Sequence, residues 1–514
     1  MRVPTTSPLS ALRKSVFWPP FTLLFIAVIF SFYDVEQFLL VMTGINDWIL
    51  KSFDWLFSYV TLSLVMSLVI VYFSPLGKVK IGGENAEPLL SKWKWFSIAL
   101  CTTLATGILF WAVAEPMYHM SSPPASLDLV ANSIETRDFT MATMFMHWSI
   151  SPYAIYCVPS LVFALCYYNL NKAYTISSFL VPTIGQTAAT KGASVIDAIA
   201  LFALVAGMAS SLGTGILVLS GGVEAQLGWQ NGKLMMAGVA TLIVLTFVFS
   251  AVSGLHKGIA RLSSLNAKIF LFFCIFVFVF GPTLFILNVG YNGVVEYASS
   301  FMQRSTNTLT HASDNWAREW TVFYFANWYA WAPIAALFLG RIAKGYTVRQ
   351  FIAVNLILPS CCAILWMSTF SGSAIYFDNV LQGALQQSLT SNGPESLIYM
   401  LFENLPLSSV MAILLIVITF ISFVTAADSN TDAMSRLCTS SDSLSEESEQ
   451  TSMKLKFVWG ITIGIIAWVM ISFASLDGIR MMNSLGGLPA LLIIMISNIS
   501  LFILLRRVIK GGSL

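Results

Sequence analysis

The chain has 514 residues, of which 57% are apolar and only 10% are charged, and its formal net charge is +2. Its mean hydropathy is +0.77, whereas soluble domains are ordinarily about 45–50% apolar and about 25% charged. This composition excludes an ordinary soluble enzyme, a disordered protein and a nucleic-acid binder. About twelve membrane helices of ~20 residues would use about 240 residues, so the sequence predicts an all-α integral membrane protein.

Apolar runs along the chain predict twelve membrane-spanning helices joined mostly by short loops. An acidic, serine-rich stretch at 439–452 predicts a solvent-exposed loop between the tenth and eleventh predicted spans. The predicted spans, in chain order, centre on 17–33, 55–73, 95–115, 143–167, 197–219, 234–252, 266–289, 320–340, 351–374, 407–427, 457–475 and 485–505.

The distribution of positive charge gives an independent test of this count. If the chain starts in the cytoplasm and alternates sides, 21 of its 27 lysines and arginines fall on the cytoplasmic side. Membrane proteins concentrate lysine and arginine in cytoplasmic loops, and a wrong number of spans would scramble the asymmetry. The sequence therefore predicts that both termini are cytoplasmic.

Several predicted spans carry small and hydroxylated residues. Ser210 and Thr214, in the fifth span, are four residues apart and share a helix face, and Thr425 lies near the end of the tenth span. Such residues allow helices to pack closely, and they also allow a helix to unwind beside a cavity. Seven cysteines without a CxxC pair and only four histidines favour neither a disulfide framework nor a zinc site.

Aromatic residues cluster in the fourth and eighth spans. The fourth span carries Trp148, Tyr153 and Tyr156, and the eighth carries Trp328 and Trp331. Tryptophan and tyrosine are common at the membrane interface, so each could be an interfacial anchor. Two helices with several aromatic residues and little charge instead favour a cage for a quaternary ammonium, because aromatic faces bind such cations by ~0.5–2 kcal/mol per ring.

Four separate motifs, in one order, carry a resemblance to a known family. They are the segments at 74–78 (SPLGK) and 82–88 (GGENAEP), at 110–116 (FWAVAEP), at 320–333 (WTVFY to WAP) and at 340–349 (GRIAKG and TVR). Together they make the chain similar to the betaine–choline–carnitine transporter family (BCCT) over roughly residues 15–510.

The resemblance implies an architecture as well as a location. It implies a five-plus-five inverted repeat of the LeuT type, with residues 1–90 forming a tail and two peripheral helices, 91–290 the first repeat and 291–514 the second. It also implies a homotrimer in the lipid bilayer of the bacterial inner membrane, with no nucleic-acid partner.

The function implied by the resemblance is secondary transport, not catalysis. The expected substrates are small quaternary ammonium or sulfonium compounds such as betaine, choline, carnitine or dimethylsulfoniopropionate, taken up as osmoprotectants by alternating access. A sodium-independent exchanger of the same compounds and a non-transporting membrane sensor stay open as alternatives. A membrane-embedded enzyme using His147, Asp428 and Ser429 is the weakest reading, because the resemblance places none of them in a catalytic set.

Binding residues can be carried over from the family by position. Asn327 stands where the family usually has a tryptophan, and its amide would either bind a polar group of the substrate or face a neighbouring helix. The expected substrate-binding residues are Trp148, Tyr153, Tyr156, Phe323, Asn327, Trp328, Trp331, Ala105, Thr106 and Gly107.

Sodium coupling is less well supported than substrate binding. The family's glycine-rich stretch keeps only its last glycine, Gly107, and Ala426 replaces one of two neighbouring hydroxyl residues in the tenth span. Na⁺ prefers several hard oxygen ligands, so H⁺ is the other coupling ion to consider, and Lys268 is the candidate protein cation that would substitute for sodium. No further cofactor is expected. The candidate sodium ligands are Thr103, Leu104, Thr425, Ser210 and Thr214.

Overall fold

The computed structural model describes residues 12–103, 107–252, 256–311, 313–439, 446–512 and 514. Within these ranges the chain is helical, and its only β-type pairing consists of two isolated bridges, Leu12 with Thr439 and Lys80 with Thr347. The α-helices are α1 Lys14–Tyr33, α2 Val35–Phe73, α3 Lys92–Thr103, α4 Ile108–Ser121, α5 Ile134–Trp148, α6 Ile150–Ala164, α7 Val181–Ile184, α8 Gln186–Leu227, α9 Lys233–Val252, α10 His256–Phe280, α11 Thr283–Ser305, α12 Phe323–Arg341, α13 Val348–Ile352, α14 Leu358–Val380, α15 Ala384–Ser391, α16 Leu397–Glu403, α17 Ser408–Leu437 and α18 Glu446–Ile509.

Eight helical segments of the described chain are long and apolar enough to cross a membrane. A ninth is formed if the pair Lys268–Phe280 and Thr283–Ser305, bent by 108°, counts as one span. The protein is therefore a multi-pass helical membrane protein, as its composition predicts. The eight segments are Lys14–Tyr33, Val35–Phe73, Ile134–Asn169, Gln186–Leu227, Arg318–Arg341, Val348–Val380, Ser408–Leu437 and Thr451–Ile509.

The predicted count of twelve differs from eight or nine where residues are not described and where helices are short or merged. The predicted span 95–115 includes residues 104–106, which lie outside the described residues, and the apolar part of α9, Lys233–Phe249, is short. The last two predicted spans are both contained in α18, which has 64 residues and a non-helical Ser475 with φ 47° and ψ −128°. A straight helix of that length would measure about 96 Å, far more than the ~30 Å hydrocarbon layer.

One helix break lies directly beside the predicted aromatic site. α5 ends at Trp148 and α6 begins at Ile150, because Ser149 has φ −119° and ψ −113°. The Ser149 hydroxyl and backbone N–H both donate to the Phe145 carbonyl, at 2.5 Å and 3.0 Å, which closes the end of α5. Pro152 has no N–H to offer to a continuous helix here.

The centre of the bundle is formed by α8, α12 and α18. α8 packs along α18 and α17, and α12 lies between α6 and α18. Gly487 of α18 approaches α12 so closely that a Cβ there would lie 2.5 Å from the Ala326 carbonyl oxygen. Small residues permit this contact between backbones. The contact holds α12 in place at Ala326, the residue that precedes Asn327.

The segment before α1 joins three helices. The Arg13 guanidinium forms a 2.7 Å salt bridge with Asp197 of α8 and donates to the Leu437 carbonyl at 2.9 Å. Its backbone N–H donates to the Cys438 carbonyl at 2.8 Å. The start of α1 is thus tied to α8 and to the end of α17.

Candidate functional site

Trp328 lies at the centre of a buried cluster of aromatic rings. Its ring centroid is 5.9 Å from that of Trp148, 5.9 Å from that of Tyr153 and 5.2 Å from that of Tyr156, with ring planes inclined by 50–81°. All four side chains are buried. The structure therefore brings together four of the aromatic residues carried over by resemblance, one from α12 and three from α5 and α6. We call these four rings the Trp328 cluster.

The break between α5 and α6 also orients Trp328. The Trp328 indole Nε1 donates a hydrogen bond to the His147 carbonyl oxygen at 3.1 Å. In a continuous helix that carbonyl would accept from an N–H four residues later. Here it accepts from the indole of another helix, so the local backbone of α5 and the ring at the centre of the cluster are directly connected.

Three other predicted site residues lie on a different face of α12. Phe323, Asn327 and Trp331 are spaced by four residues and so share one helix face. A Cβ on Gly207 of α8 would lie 3.1 Å from the Trp331 Nε1, and the Phe323 ring is 5.7 Å from that of Trp111. Asn327 and Trp331 are only partly buried, so this face offers a polar group beside an accessible indole.

The third predicted span is expected to contact substrate through the backbone of residues 105–107, which follow α3 and precede α4 in the chain. Gly107 precedes α4, and a Cβ added to it would lie 3.4 Å from the Trp111 ring and 3.5 Å from the Thr214 methyl group. Gly107 thus lies against α8. Thr103 is the last residue of α3 and its side chain is not described, while Leu104, Ala105 and Thr106 lie outside the described residues.

The candidate sodium residues make hydrogen bonds within their own helices. Thr425 donates to the Ile421 carbonyl at 2.8 Å, and Thr214 donates to the Ser210 carbonyl at 3.3 Å. A hydroxyl that donates in this way keeps its oxygen lone pairs free to coordinate a cation. Lys268 is exposed on α10. The sodium ligands and the substitution by Lys268 remain predictions.

A hydrogen-bonded cluster of ionisable side chains adjoins the aromatic rings. The Glu115 Oε1 lies 2.6 Å from the His147 Nδ1 and 3.3 Å from the His119 Nε2, and the Glu115 Oε2 accepts from the Trp148 Nε1 at 2.9 Å. The His147 Nε2 lies 3.0 Å from the Thr321 Oγ1. Glu115 and both histidines have no exposed surface. We call Glu115, His119 and His147 the carboxylate–histidine cluster.

The distances within this cluster identify hydrogen bonds. Its nitrogen and oxygen atoms lie within 4.8 Å of one another, close enough for a metal ion to be considered. However, 2.6 Å between the Glu115 and His147 atoms is a hydrogen-bond distance, and Trp148 occupies the second carboxylate oxygen. The contacts of Glu115 in the cluster are therefore those of hydrogen bonds.

The sequence alone did not predict most of this cluster as a site. Glu115 was named only as part of the motif at 110–116, and His147 only in the alternative of a membrane-embedded enzyme. A signal was present, since Glu115 and His119 are four residues apart in an apolar span and so share a helix face. Ionisable residues inside membrane helices are rare and usually functional.

Multiple apolar helices around a buried aromatic cluster define a polytopic membrane protein of the transporter class. The sequence pattern of the BCCT, or betaine/carnitine/choline family transporter, group matches residues 15–509, and the chain belongs to this family. It is 29% identical over 487 residues to an ectoine/hydroxyectoine transporter of Virgibacillus pantothenticus, covering 95% of each chain. It is also 29% identical to a probable glycine betaine transporter of Desulfitobacterium hafniense over 94% of this chain and 96% of the relative. The glycine betaine transporter OpuD of Bacillus subtilis is likewise 29% identical, with 95% and 94% covered.

Proposed function

We propose that the protein is a secondary transporter of small betaine-type zwitterions, working by alternating access. The observation that carries the proposal is the Trp328 cluster, in which three aromatic rings from α5 and α6 surround one ring of α12. A methylated ammonium cannot donate or accept ordinary hydrogen bonds, so aromatic faces are its natural partners. Each desolvated ring contributes on the order of 0.5–2 kcal/mol.

The second face of α12 bears on which zwitterion is carried. Asn327 offers a partly buried amide one helical turn from Trp331, which lies against Gly207 of α8. Ectoine-type rings carry N–H groups, whereas a trimethylammonium has none, and an amide oxygen binds the former only. Relatives are named for both betaine and ectoine. We propose that Asn327 favours a substrate with an N–H group, and that Phe323, Trp331 and the backbone of residues 105–107 complete the site.

Besides coupling to H⁺, two coupling modes are candidates. Sodium symport would use Thr425, Ser210, Thr214 and the backbone around residues 103–104. Sodium-independent exchange is the second candidate, and it is favoured because Ala426, next to Thr425, has no hydroxyl to coordinate a cation. In that case Lys268 is the first residue to test as a substituting cation.

The architectural proposals follow from family membership. We propose twelve spans in a five-plus-five inverted repeat, with both termini cytoplasmic in a bacterial inner membrane, and assembly as a homotrimer. Residues 1–90 would form the tail and peripheral helices, 91–290 the first repeat and 291–514 the second. The kink at Ser475 supports the count of twelve, because it lies at the end of the first of the two predicted spans that α18 contains.

Uptake into proteoliposomes tests the proposal. Radiolabelled glycine betaine, ectoine, choline, carnitine and dimethylsulfoniopropionate are compared with and without an inward sodium gradient, and counterflow is measured in preloaded vesicles. Sodium-stimulated uptake supports symport, and counterflow without sodium supports exchange. Binding of these compounds with neither uptake nor counterflow would contradict transport and favour a sensor.

A further inference from the structure

We propose that the carboxylate–histidine cluster binds a proton and couples proton movement to substrate at the Trp328 cluster. This inference rests on the proposed transport function, because coupling requires a transported substrate. It assigns the coupling ion to H⁺ and the proton to Glu115 and His147. The argument uses the hydrogen bonds around these two residues, their burial and their connections to the aromatic rings.

The hydrogen bonds of His147 can be kept in two protonation states. A neutral His147 donates from Nδ1 to Glu115 and accepts at Nε2 from the Thr321 hydroxyl, while a protonated His147 donates at both positions. Because a threonine hydroxyl can donate or accept, it only has to rotate when the proton arrives. The cluster thus gains or loses a proton without moving a heavy atom.

His119 supplies a further base. Its Nε2 lies 3.3 Å from the Glu115 Oε1, while its Nδ1 is buried and has no hydrogen-bond partner among the described residues. A buried polar atom without a partner costs about 1–3 kcal/mol. Proton exchange on this side of the cluster would explain why the His119 Nδ1 is left without a partner.

Burial gives the cluster a reason to bind one proton. With both histidines neutral, the ionised Glu115 leaves one negative charge inside the bundle, where charges are costly. Hydrogen bonds from His147 and Trp148 offset part of that cost. One added proton makes the cluster neutral, and its later departure restores the charge, so the two states differ by one transferable H⁺ and nothing else.

Two indoles connect the cluster to the proposed substrate site. Trp148 donates to Glu115, and Trp328 donates to the backbone carbonyl of His147. A proton on the carboxylate weakens it as an acceptor for Trp148. Anything that repositions Trp148 against Trp328 therefore changes proton affinity, and proton binding changes substrate affinity by the same factor.

A polar pocket leads to the cluster from one end of the bundle. His147, Thr321, Thr143, Thr310 and Arg304 are among its lining residues. The distribution of charge predicts that this end faces outward. We place the entry of the proton at this pocket, beside Thr321 and His147.

Two of the charged groups near the cluster are arginines, and both have an ion-pair partner on their own helix. Arg304, whose Nη1 donates to Thr143, lines the pocket but makes its ion pair with Glu296 of its own helix. Arg480 lies over the Trp320 ring. The other titratable or charged side chains on α4 and its packing neighbours that adjoin this region are Tyr118, Tyr324, Asp378 and Glu395.

The two additional carboxylates are satisfied elsewhere. Asp378 accepts from the backbone N–H groups of Leu385 and Gln386, and Glu395 accepts from the Asn231 amide at 2.8 Å. The Tyr324 ring stacks on His147 at 4.6 Å. Glu115 is consequently the carboxylate that communicates with the indoles.

The test follows substrate and protons in the same proteoliposomes. Vesicles contain a trapped pH dye, and labelled glycine betaine or ectoine is added with and without an inward proton gradient. We expect substrate to drive acidification in the wild type and the gradient to lower the half-saturation concentration by at least about fivefold. E115Q should retain counterflow but lose both effects, and E403Q, at an exposed glutamate, should behave as wild type.

Two further readouts separate the outcomes. T321V should reduce the gradient effect while keeping counterflow, which covers the case in which E115Q does not fold. Infrared difference spectra between low and high pH need no substrate, and the carboxylate and imidazole bands that titrate together in the wild type should be absent in E115Q. Wild-type transport that moves no protons would overturn the inference. Failure to transport any compound would reject the proposed function, and infrared bands unchanged in E115Q would reject the proton site separately.

Discussion

Arg13 and Asp197 form a 2.7 Å salt bridge between the segment that precedes α1 and the first half of α8. Asp197 is 2% exposed, whereas Arg13 is 28% exposed. The pair is thus an almost buried carboxylate whose charge is balanced by one accessible arginine.

Replacing Arg13 should destabilise the protein more than replacing both partners. R13A leaves the Asp197 carboxylate buried without a partner, and such a loss costs about 3–5 kcal/mol. R13A/D197N removes the unbalanced charge and should recover part of that loss. Thermal unfolding in detergent measures both variants, and a double variant no more stable than R13A would show that the charge is not the cause.

Replacing Trp328 should weaken substrate affinity. W328L removes the ring at the centre of the cluster and its hydrogen bond to His147, so the half-saturation concentration should rise about tenfold, in line with ~1–2 kcal/mol for a desolvated ring. W229L, at a tryptophan that is 61% exposed, is the matched control. An unchanged uptake constant in W328L would place the substrate elsewhere.

Glu395 should make stability depend on pH. The pKa of this carboxyl is raised to about 7, because burial and the nearby Glu224 raise it more than a backbone hydrogen bond and the Asn231 amide lower it. Since the folded pKa lies above the ordinary value of 4.5, this contribution to stability is full below that value and is lost as the pH rises through about 7.

The variant E395Q isolates this effect. The melting temperature of the wild type should fall between about pH 5 and pH 8, and in E395Q this fall should be smaller. E403Q, an exposed glutamate, should follow the wild-type profile. Parallel pH profiles for E395Q and wild type would mean that Glu395 does not titrate in this range.

Gly487 should not tolerate a side chain. A Cβ there would lie 2.5 Å from the Ala326 carbonyl oxygen, so G487A must separate α12 from α18 at a cost of about 1–3 kcal/mol. G238A, at a helical glycine with nothing within 4 Å of the added Cβ, should be neutral or stabilising. Melting temperatures of the two variants provide the comparison, and equal values would contradict the packing argument.

The sequence predicted the class of fold, a helical membrane protein. Composition and apolar runs indicate a helical membrane protein, because a helix in lipid must be apolar along most of its length. The exact spans were less accessible, since the break at Ser149 and the kink at Ser475 depend on tertiary contacts.

The assignment of the α12 residues to two helix faces could be predicted only in part. Residues 323, 327 and 331 repeat every four positions, which places them on one face, but sequence alone does not say which neighbour each face meets. Trp328 contacts α5 and α6, whereas Trp331 lies against Gly207 of α8. The link from Glu115 to Trp148 joins residues 33 positions apart, and no local pattern encodes it.

The break at Ser149 divides the fourth predicted span into two helix segments that can bend relative to each other. Trp148 and the carbonyl that anchors Trp328 belong to α5, while Tyr153 and Tyr156 belong to α6. Bending at Ser149 therefore parts the two tyrosines from the two tryptophans. A tilt of one segment relative to the other would therefore change the spacing of the rings within the Trp328 cluster.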